Sequence, residues 1–237
     1  MAKKLLVAFD FDHTVIDGNS DTVVIQLLHA KPPNCKPKEC WTTYMQNIFK
    51  LLHEQGVEES SYLNTITSIP PSPDMIDLLQ FLHNSNVEVI IISDSNSIFI
   101  DSWLAAYKMT DIVKKVYTNQ AFFDPSGLLS ISMYHSQNWC KNCPENLCKG
   151  SVLDKHLKAR HEEGVIFSNV AYVGDGKNDY CPCTKLSDMD HVFPRKGYYL
   201  EKLLSGDKQD DNKNQILANV TFWASASDIK AKLSELL

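Results

Sequence analysis

Three short aliphatic runs stand out along the chain, at residues 5–9, 87–92 and 170–173, with a weaker fourth at 191–193. They are dense in Val, Ile and Leu and show no polar alternation, the pattern of strands buried on both faces of a parallel sheet. Between them the apolar residues fall on helical spacing at residues 21–29 and 41–53. The stripe of Met75, Leu78, Leu79 and Leu82 behind Ser72-Pro73-Asp74 reads as another helix with its start. Further helices are predicted over residues 96–107 and from Lys149 onward. Asp124-Pro125-Ser126-Gly127 reads as a turn joining two short antiparallel strands. Strands alternating with helices predict an α/β fold with a parallel sheet.

The spacing of the first two runs departs from a simple crossover. About seventy residues separate them, where a crossover helix and its loops need far fewer. Pro32, Pro33 and Pro37 break that stretch between its two helical patterns. Residues 20–70 therefore read as a small helical cap inserted after the first strand, with residues 1–19 and 71–237 as the core. Residues 205–215, SGDKQDDNKNQ, have no apolar face and read as a solvated loop.

Composition narrows the function classes. With 237 residues and 43% hydrophobic content the chain can bury a substantial core. A net charge of −6 gives no general attraction to nucleic acid or to an anionic membrane surface. The apolar stretch at residues 5–9 is too short for a membrane span or a signal-peptide core. Seven cysteines leave at least one unpaired, so reduced thiols and a cytoplasmic location are expected. Asn219-Val220-Thr221 matches a glycosylation acceptor but reads as a chance match in a strand.

Each strong aliphatic run ends at a polar cluster: Asp10-Phe11-Asp12, Ser93-Asp94-Ser95 and Gly174-Asp175-Gly176. In open parallel sheets ligands bind beyond the carboxyl ends of the strands, so the three clusters can meet in one site. In DFDHT, residues 10–14, Asp10 and Asp12 lie two apart and share a direction in extended backbone. Their repulsion calls for a cation or a shared proton, and Mg²⁺ binds carboxylate and phosphate oxygens together. In GDGKND, residues 174–179, Asp175 and Asp179 flank a strand-to-helix turn whose glycines admit a ligand to the backbone. Ser93 and Lys149 supply a hydroxyl and an ammonium suited to phosphate oxygens. Taken singly, each motif also fits a plainer reading as an acidic turn, a helix cap or a surface residue; their order along the chain favours chemistry.

That order, DxDxT, a strand-terminal Ser, a Lys and GDGxxD, resembles the haloacid dehalogenase-like phosphatase superfamily. The resemblance implies a Rossmann-like core in which Asp10 attacks phosphorus and Asp12 acts as general acid and then base. It further implies that Ser93 and Lys149 bind phosphate, that Mg²⁺ is held by Asp10, the Asp12 backbone carbonyl and Asp175, and that Asp179 supports the site. The segments DFDHTVIDGNSD, IIISDSNSIFID, CPENLCKG, VGDGKNDYCP and FPRKGY are similar to the subfamily of phosphoethanolamine/phosphocholine and pyridoxal phosphate phosphatases. This implies a small phosphorylated metabolite as substrate, pyridoxal 5′-phosphate first, then phosphoethanolamine, phosphocholine or pyrophosphate. The different-class alternative is a non-catalytic binding protein on the same fold. Asp21 and Asp94 either face a cationic end of the substrate or serve as helix-start and turn residues. His13 either lines the pocket or fills a variable motif position. Cys140, Cys143 and Cys148, with His135 upstream, read as reduced thiols packed around a loop, with a structural zinc site as the alternative. Cys181 and Cys183 read as structural, placed where oxidation would reach the site.

Overall fold

The computed structural model describes residues 4–205 and 216–237, so most of the polar loop expected at 205–215 lies outside the described residues. In chain order the elements are β1 (Lys4–Phe9), α1 (Ser20–Ile25), α2 (Trp41–Glu54), α3 (Glu59–Thr67), α4 (Met75–Asn84), β2 (Glu88–Asn96) and α5 (Ser97–Ala106). There follow β3 (Val113–Phe123), β4 (Leu129–Ser132), α6 (Lys149–Glu162), β5 (Phe167–Gly174), a 3₁₀ turn (Lys177–Asp179) and α7 (Tyr180–Cys183). The last are β6 (His191–Pro194), α8 (Tyr199–Leu204), β7 (Asn219–Val220) and α9 (Ala226–Ser234). The seven strands form one sheet in the order β4-β3-β2-β1-β5-β6-β7. All pairings are parallel except β3 with β4.

The unbroken apolar runs have a direct cause in this layout. Successive strand residues face opposite sides, and both sides of the sheet are covered. Leu5, Val7 and Phe9 of β1 enter one buried cluster with Val89 and Ile91 of β2 and Ala171 and Val173 of β5. Leu6 and Ala8 enter the other, with Ile90, Ile92, Val170 and Tyr172. Helices α2 to α5 and α9 close the first face, where Met45, Ile48, Phe49, Leu52, Tyr62 and Ile66 from residues 41–66 join the strand side chains. Val152 and Leu153 of α6 and Leu200 of α8 close the second.

The chain leaves and re-enters the core beside itself. Asp17 N–H donates to Pro70 O at 2.8 Å, Ser72 N–H donates to Val15 O at 3.0 Å, and Ile16 bridges Pro71. Trp103 Nε1 in α5 donates to Ile69 O at 2.9 Å, which fixes the returning segment between α3 and α4.

Some expectations are corrected. The helix expected over 21–29 ends at Ile25, because residues 26–28 tighten to i−3 hydrogen bonds ahead of Pro32. Helix α3 was not legible, since it buries only Tyr62 and Ile66. The strand before the Asp124 turn is not short: β3 has 11 residues, the first half parallel to β2 and the second antiparallel to β4. Asn219 lies in β7 as expected, with its side-chain N–H₂ donating to Asp188 O at 2.9 Å and Asp190 O at 3.3 Å. Among the described residues no helix is long and apolar enough to cross a membrane.

Candidate active site

Strand β1 lies between β2 and β5, where the chain turns from building one half of the sheet to building the other. A crevice opens at such a switch point, beyond the carboxyl ends of the strands. Asp10 follows β1, Ser93 to Ser95 end β2, and Asp175 follows β5, so the topology itself brings the three polar clusters together. Asp10 N–H donates to Val173 O at 2.9 Å, which ties the residue to the end of β5.

A buried ion triad forms the floor. Lys149 is fully buried, and its Nζ lies 2.7 Å from Asp10 Oδ2 and 2.7 Å from Asp179 Oδ1. Asp179 accepts at every lone-pair position: Oδ1 also takes the Tyr172 hydroxyl at 2.7 Å, and Oδ2 takes the N–H groups of Asp175 at 3.0 Å and Gly176 at 2.8 Å. Its carboxylate therefore holds the lysine and the turn in register. Gly174 is required for that approach, since a Cβ there would sit 2.5 Å from Asp179 Cγ. The same two negative partners hold Lys149 charged against the cost of burial, with its pKa raised.

The remaining carboxylates are short of positive charge. Burial, then Asp179, pushes Asp10 up to about 7, although Lys149 opposes the shift. Burial and the same neighbour push Asp175 up to about 9, and its carboxylate accepts no hydrogen bond among the described residues. Carboxylate oxygens of Asp10, Asp175 and Asp179 lie within 4.8 Å of one another. Hard oxygen donors around an electrostatic deficit suit a small divalent cation such as Mg²⁺. With Asp179 saturated, Asp10 and Asp175 are the side chains left to hold it.

Asp12 sits in a different environment. Its Oδ1 accepts from Ser20 N–H at 2.8 Å and its Oδ2 from Ser20 Oγ at 3.1 Å, and Ser20 Oγ continues to Ser95 Oγ at 2.8 Å. Burial, then Asp21, raises the Asp12 pKa well above the ordinary carboxylate range. Ser93 is fully buried and its Oγ accepts from Ser95 N–H at 3.3 Å. Asp21 in α1 is buried and pushed up to about 7 by desolvation. Its Oδ2 takes Trp41 Nε1 at 2.7 Å, while its Oδ1 is buried without a partner. Asp94 Oδ2 accepts from Asn178 at 3.1 Å, beside a cleft of about 410 Å³ that also carries Lys141 and Lys177. His13 takes the left-handed conformation at φ 53°, its carbonyl held by Arg195 Nη1 at 2.6 Å. Arg195 also pairs with Asp17 at 2.6 Å, so FPRKGY anchors the turn after Asp12. A second cleft of about 300 Å³, lined by Lys4, His83 and Glu88, opens at the opposite end of the strands.

Ser20, Tyr172 and Arg195 escaped sequence reasoning, and Ser95 was placed in a polar cluster without a role of its own. Ser95 carried a usable signal, being two residues after Ser93 in extended backbone and so on the same side. Tyr172 carried a similar one, two residues before Gly174. Ser20 and Arg195 act across the fold, and nothing local singled them out within the segments DFDHTVIDGNSD and FPRKGY.

Fold and site together define a phosphomonoesterase of the haloacid dehalogenase-like class. The chain belongs to the family described as "Putative Phosphatase", whose model matches residues 5–237. It is 39% identical over 241 residues to the human pyridoxal phosphate phosphatase PHOSPHO2, covering 99% of each chain. It is 36% identical over 246 residues to the human phosphoethanolamine/phosphocholine phosphatase, covering 100% of this chain and 90% of that protein. Among solved structures, a substrate-bound phosphoserine phosphatase superposes with a TM-score of 0.65 over 98% of this chain and 99% of its own, at 15% identity. At that identity the likeness speaks to the fold alone.

Proposed function

We propose that this phosphatase is magnesium-dependent and hydrolyses a small phosphomonoester, pyridoxal 5′-phosphate first, through a phosphoaspartate on Asp10. The observation that carries the reading is the contrast between two carboxylates two residues apart. Asp10 is ion-paired to Lys149 at 2.7 Å, whereas Asp12 is bound to Ser20 and burial raises its affinity for a proton well above that of an ordinary carboxylate. Carboxylates in environments this different divide into nucleophile and acid. The choice of substrate rests on the 39% identity to PHOSPHO2.

Magnesium held by Asp10, the Asp12 backbone carbonyl and Asp175 would supply positive charge that draws in phosphate oxygens and offsets the charge of the transferring group. Lys149 and Ser93 bind phosphate oxygens, and Asp179 keeps Lys149 in place. An Asp10 oxygen bonds to phosphorus as the bond to the leaving oxygen breaks, and Asp12 gives that oxygen its proton. Asp12, now ionised, takes a proton from water as the water oxygen bonds to phosphorus. The Asp10–phosphorus bond breaks, inorganic phosphate leaves, and both carboxyl groups return to their starting states. Residues 20–70 act as a cap over the core of 1–19 and 71–237, and Ser20 and Asp21 reach the site from its first helix. The unpartnered Asp21 Oδ1 and the nearby Asp94 suit a cationic substrate end, such as a pyridinium or ammonium.

Purified enzyme assayed on a panel of phosphorylated metabolites tests both levels of the reading. Chelation should abolish turnover and Mg²⁺ restore it, with Ca²⁺ a poor substitute because its looser coordination misplaces the nucleophile. Pyridoxal phosphate should give the highest kcat/KM. A higher value for phosphoethanolamine or phosphocholine transfers the function to that reaction, and no turnover on any member in Mg²⁺ overturns the reading of these small metabolites as substrates.

A further inference from the structure

We propose that Cys140, Cys143, Cys148 and Cys181 form a structural tetrathiolate site for a soft divalent cation, zinc foremost, which fastens the loop before α6 to α7. The four sulfur atoms all lie within 4.8 Å of one another. Cys140 Sγ is 3.5 Å and Cys148 Sγ 3.9 Å from Cys181 Sγ. Zinc–thiolate bonds of about 2.3 Å give a regular tetrahedron with edges of about 3.8 Å, and the two separations bracket that edge. All seven cysteines are free, and sulfurs 3.5 Å apart are well beyond bonding distance. Thiols that merely fill a core pack against aliphatic neighbours, whereas these four converge on one another.

The surroundings are built around the cluster. The Gln137 side chain is 5% exposed and folds the CKNC turn around its amide. Its Nε2 donates to the carbonyls of Cys140, Cys143 and Pro144 at 3.1, 3.1 and 2.8 Å, and its Oε1 accepts from Cys140 N–H at 2.8 Å. His135, the fourth ligand considered from sequence, is engaged elsewhere: its Nε2 accepts from Cys148 N–H at 2.8 Å. It orients the Cys148 backbone, and Cys181, from 33 residues further along the chain, takes the fourth corner. Gly150 is needed for the approach of α7, since a Cβ there would meet Cys181 Sγ at 2.6 Å. Cys148 stands at the N-terminus of the 14-residue α6, whose dipole favours negative charge at that end. Each thiol that binds gives its proton to solvent.

The site lies beside the phosphatase machinery without belonging to it. Cys148 precedes Lys149 and Cys181 follows Asp179 by two residues, so one ion would pin both backbones whose side chains meet at 2.7 Å. Metal content tests the proposal without any assay of activity. Protein expressed with added zinc and purified without chelator should carry one zinc per chain by mass spectrometry of the elements. An organomercurial should release that zinc in step with thiol titration. Cobalt in its place should show the intense thiolate-to-metal absorption of a sulfur-rich tetrahedral site. Cys143→Ser and Cys181→Ser should each drop zinc to near zero, while Asp175→Asn keeps it, which separates this ion from one at the carboxylates. Should the cysteine variants fail to fold, the mercurial and cobalt measurements on the unaltered chain decide. The proposal is overturned by wild-type protein free of zinc and other soft metals, by an intact mass two hydrogens lower per disulfide, or by zinc retained in both serine variants.

Discussion

Asp10 and Asp12 differ in what surrounds them, and the difference predicts separable defects. With Asp10 as the proposed nucleophile, Asp10→Asn should form no phosphoenzyme. Asp12→Asn leaves Asp10, Lys149 and the backbone carbonyl in place but removes the proposed proton carrier, which should slow turnover by about 10²–10⁴-fold. With a leaving group that needs little protonation, the first step should recover more than the second, and the phosphoryl adduct should accumulate. Acid quenching followed by intact-mass measurement checks this. An adduct on Asp10→Asn with none on Asp12→Asn or wild type would reverse the assignment. Asp10 and Asp175 also predict how metal and pH are linked. Their folded pKa values, about 7 and about 9, lie above the ordinary 3.8. Without metal the folded state therefore holds protons that the unfolded chain has lost. The stability these groups contribute is complete below about pH 4 and is lost as pH rises through 7 and then 9. Thermal midpoints in chelator should fall over that window, and the rise on adding Mg²⁺ should grow with pH as the ion takes the place of the protons. Asp175→Asn should flatten the upper part of the trend. A magnesium effect that shrinks from pH 6 to pH 9 would contradict the account.

Elements carry the site by fixing where backbones end. The turn from β5 into α7 holds Asp179 against the N–H groups of Asp175 and Gly176, and this works only while position 174 has no side chain. Gly174→Ala would drive Asp179 outward and loosen its 2.7 Å contact with Lys149. Displacements of this size cost on the order of 10²-fold in rate, so kcat should fall by about that much even where the variant folds. Wild-type kcat in folded Gly174→Ala would show that the cradle does not position the site. The same elements show what a sequence exposes. Strands β1, β2 and β5 were legible because residues on both faces are buried, which leaves unbroken aliphatic runs. Helix α3 was not, because two buried residues in nine make no readable stripe. The long β3 was hidden because it changes partner midway, and a partner is not written in one strand's residues.

At the scale of the molecule, legibility follows distance along the chain. Asp10, Asp12, Ser93, Asp94, Asp175 and Asp179 were readable because each stands at the end of a recognisable strand. Lys149 drew its signal from its position at a helix start. Ser20 against Asp12, Tyr172 against Asp179 and Cys181 against Cys148 are pairings made by folding, and no local spacing announces them. Even the cysteine loop showed three corners of its cluster and concealed the fourth.

The central position of β1 also has a consequence in time. Its two neighbours are β2, which begins at Glu88, and β5, which begins at Phe167. During synthesis at about 5–20 residues per second, β1 is made first and waits on the order of ten seconds or more for its second neighbour. Throughout that interval one edge of a strongly aliphatic strand offers unpaired N–H and C=O groups to any other chain nearby. Asp179 follows β5 directly, so the nascent chain has neither both neighbours of β1 nor its ion triad until about three-quarters of it exists.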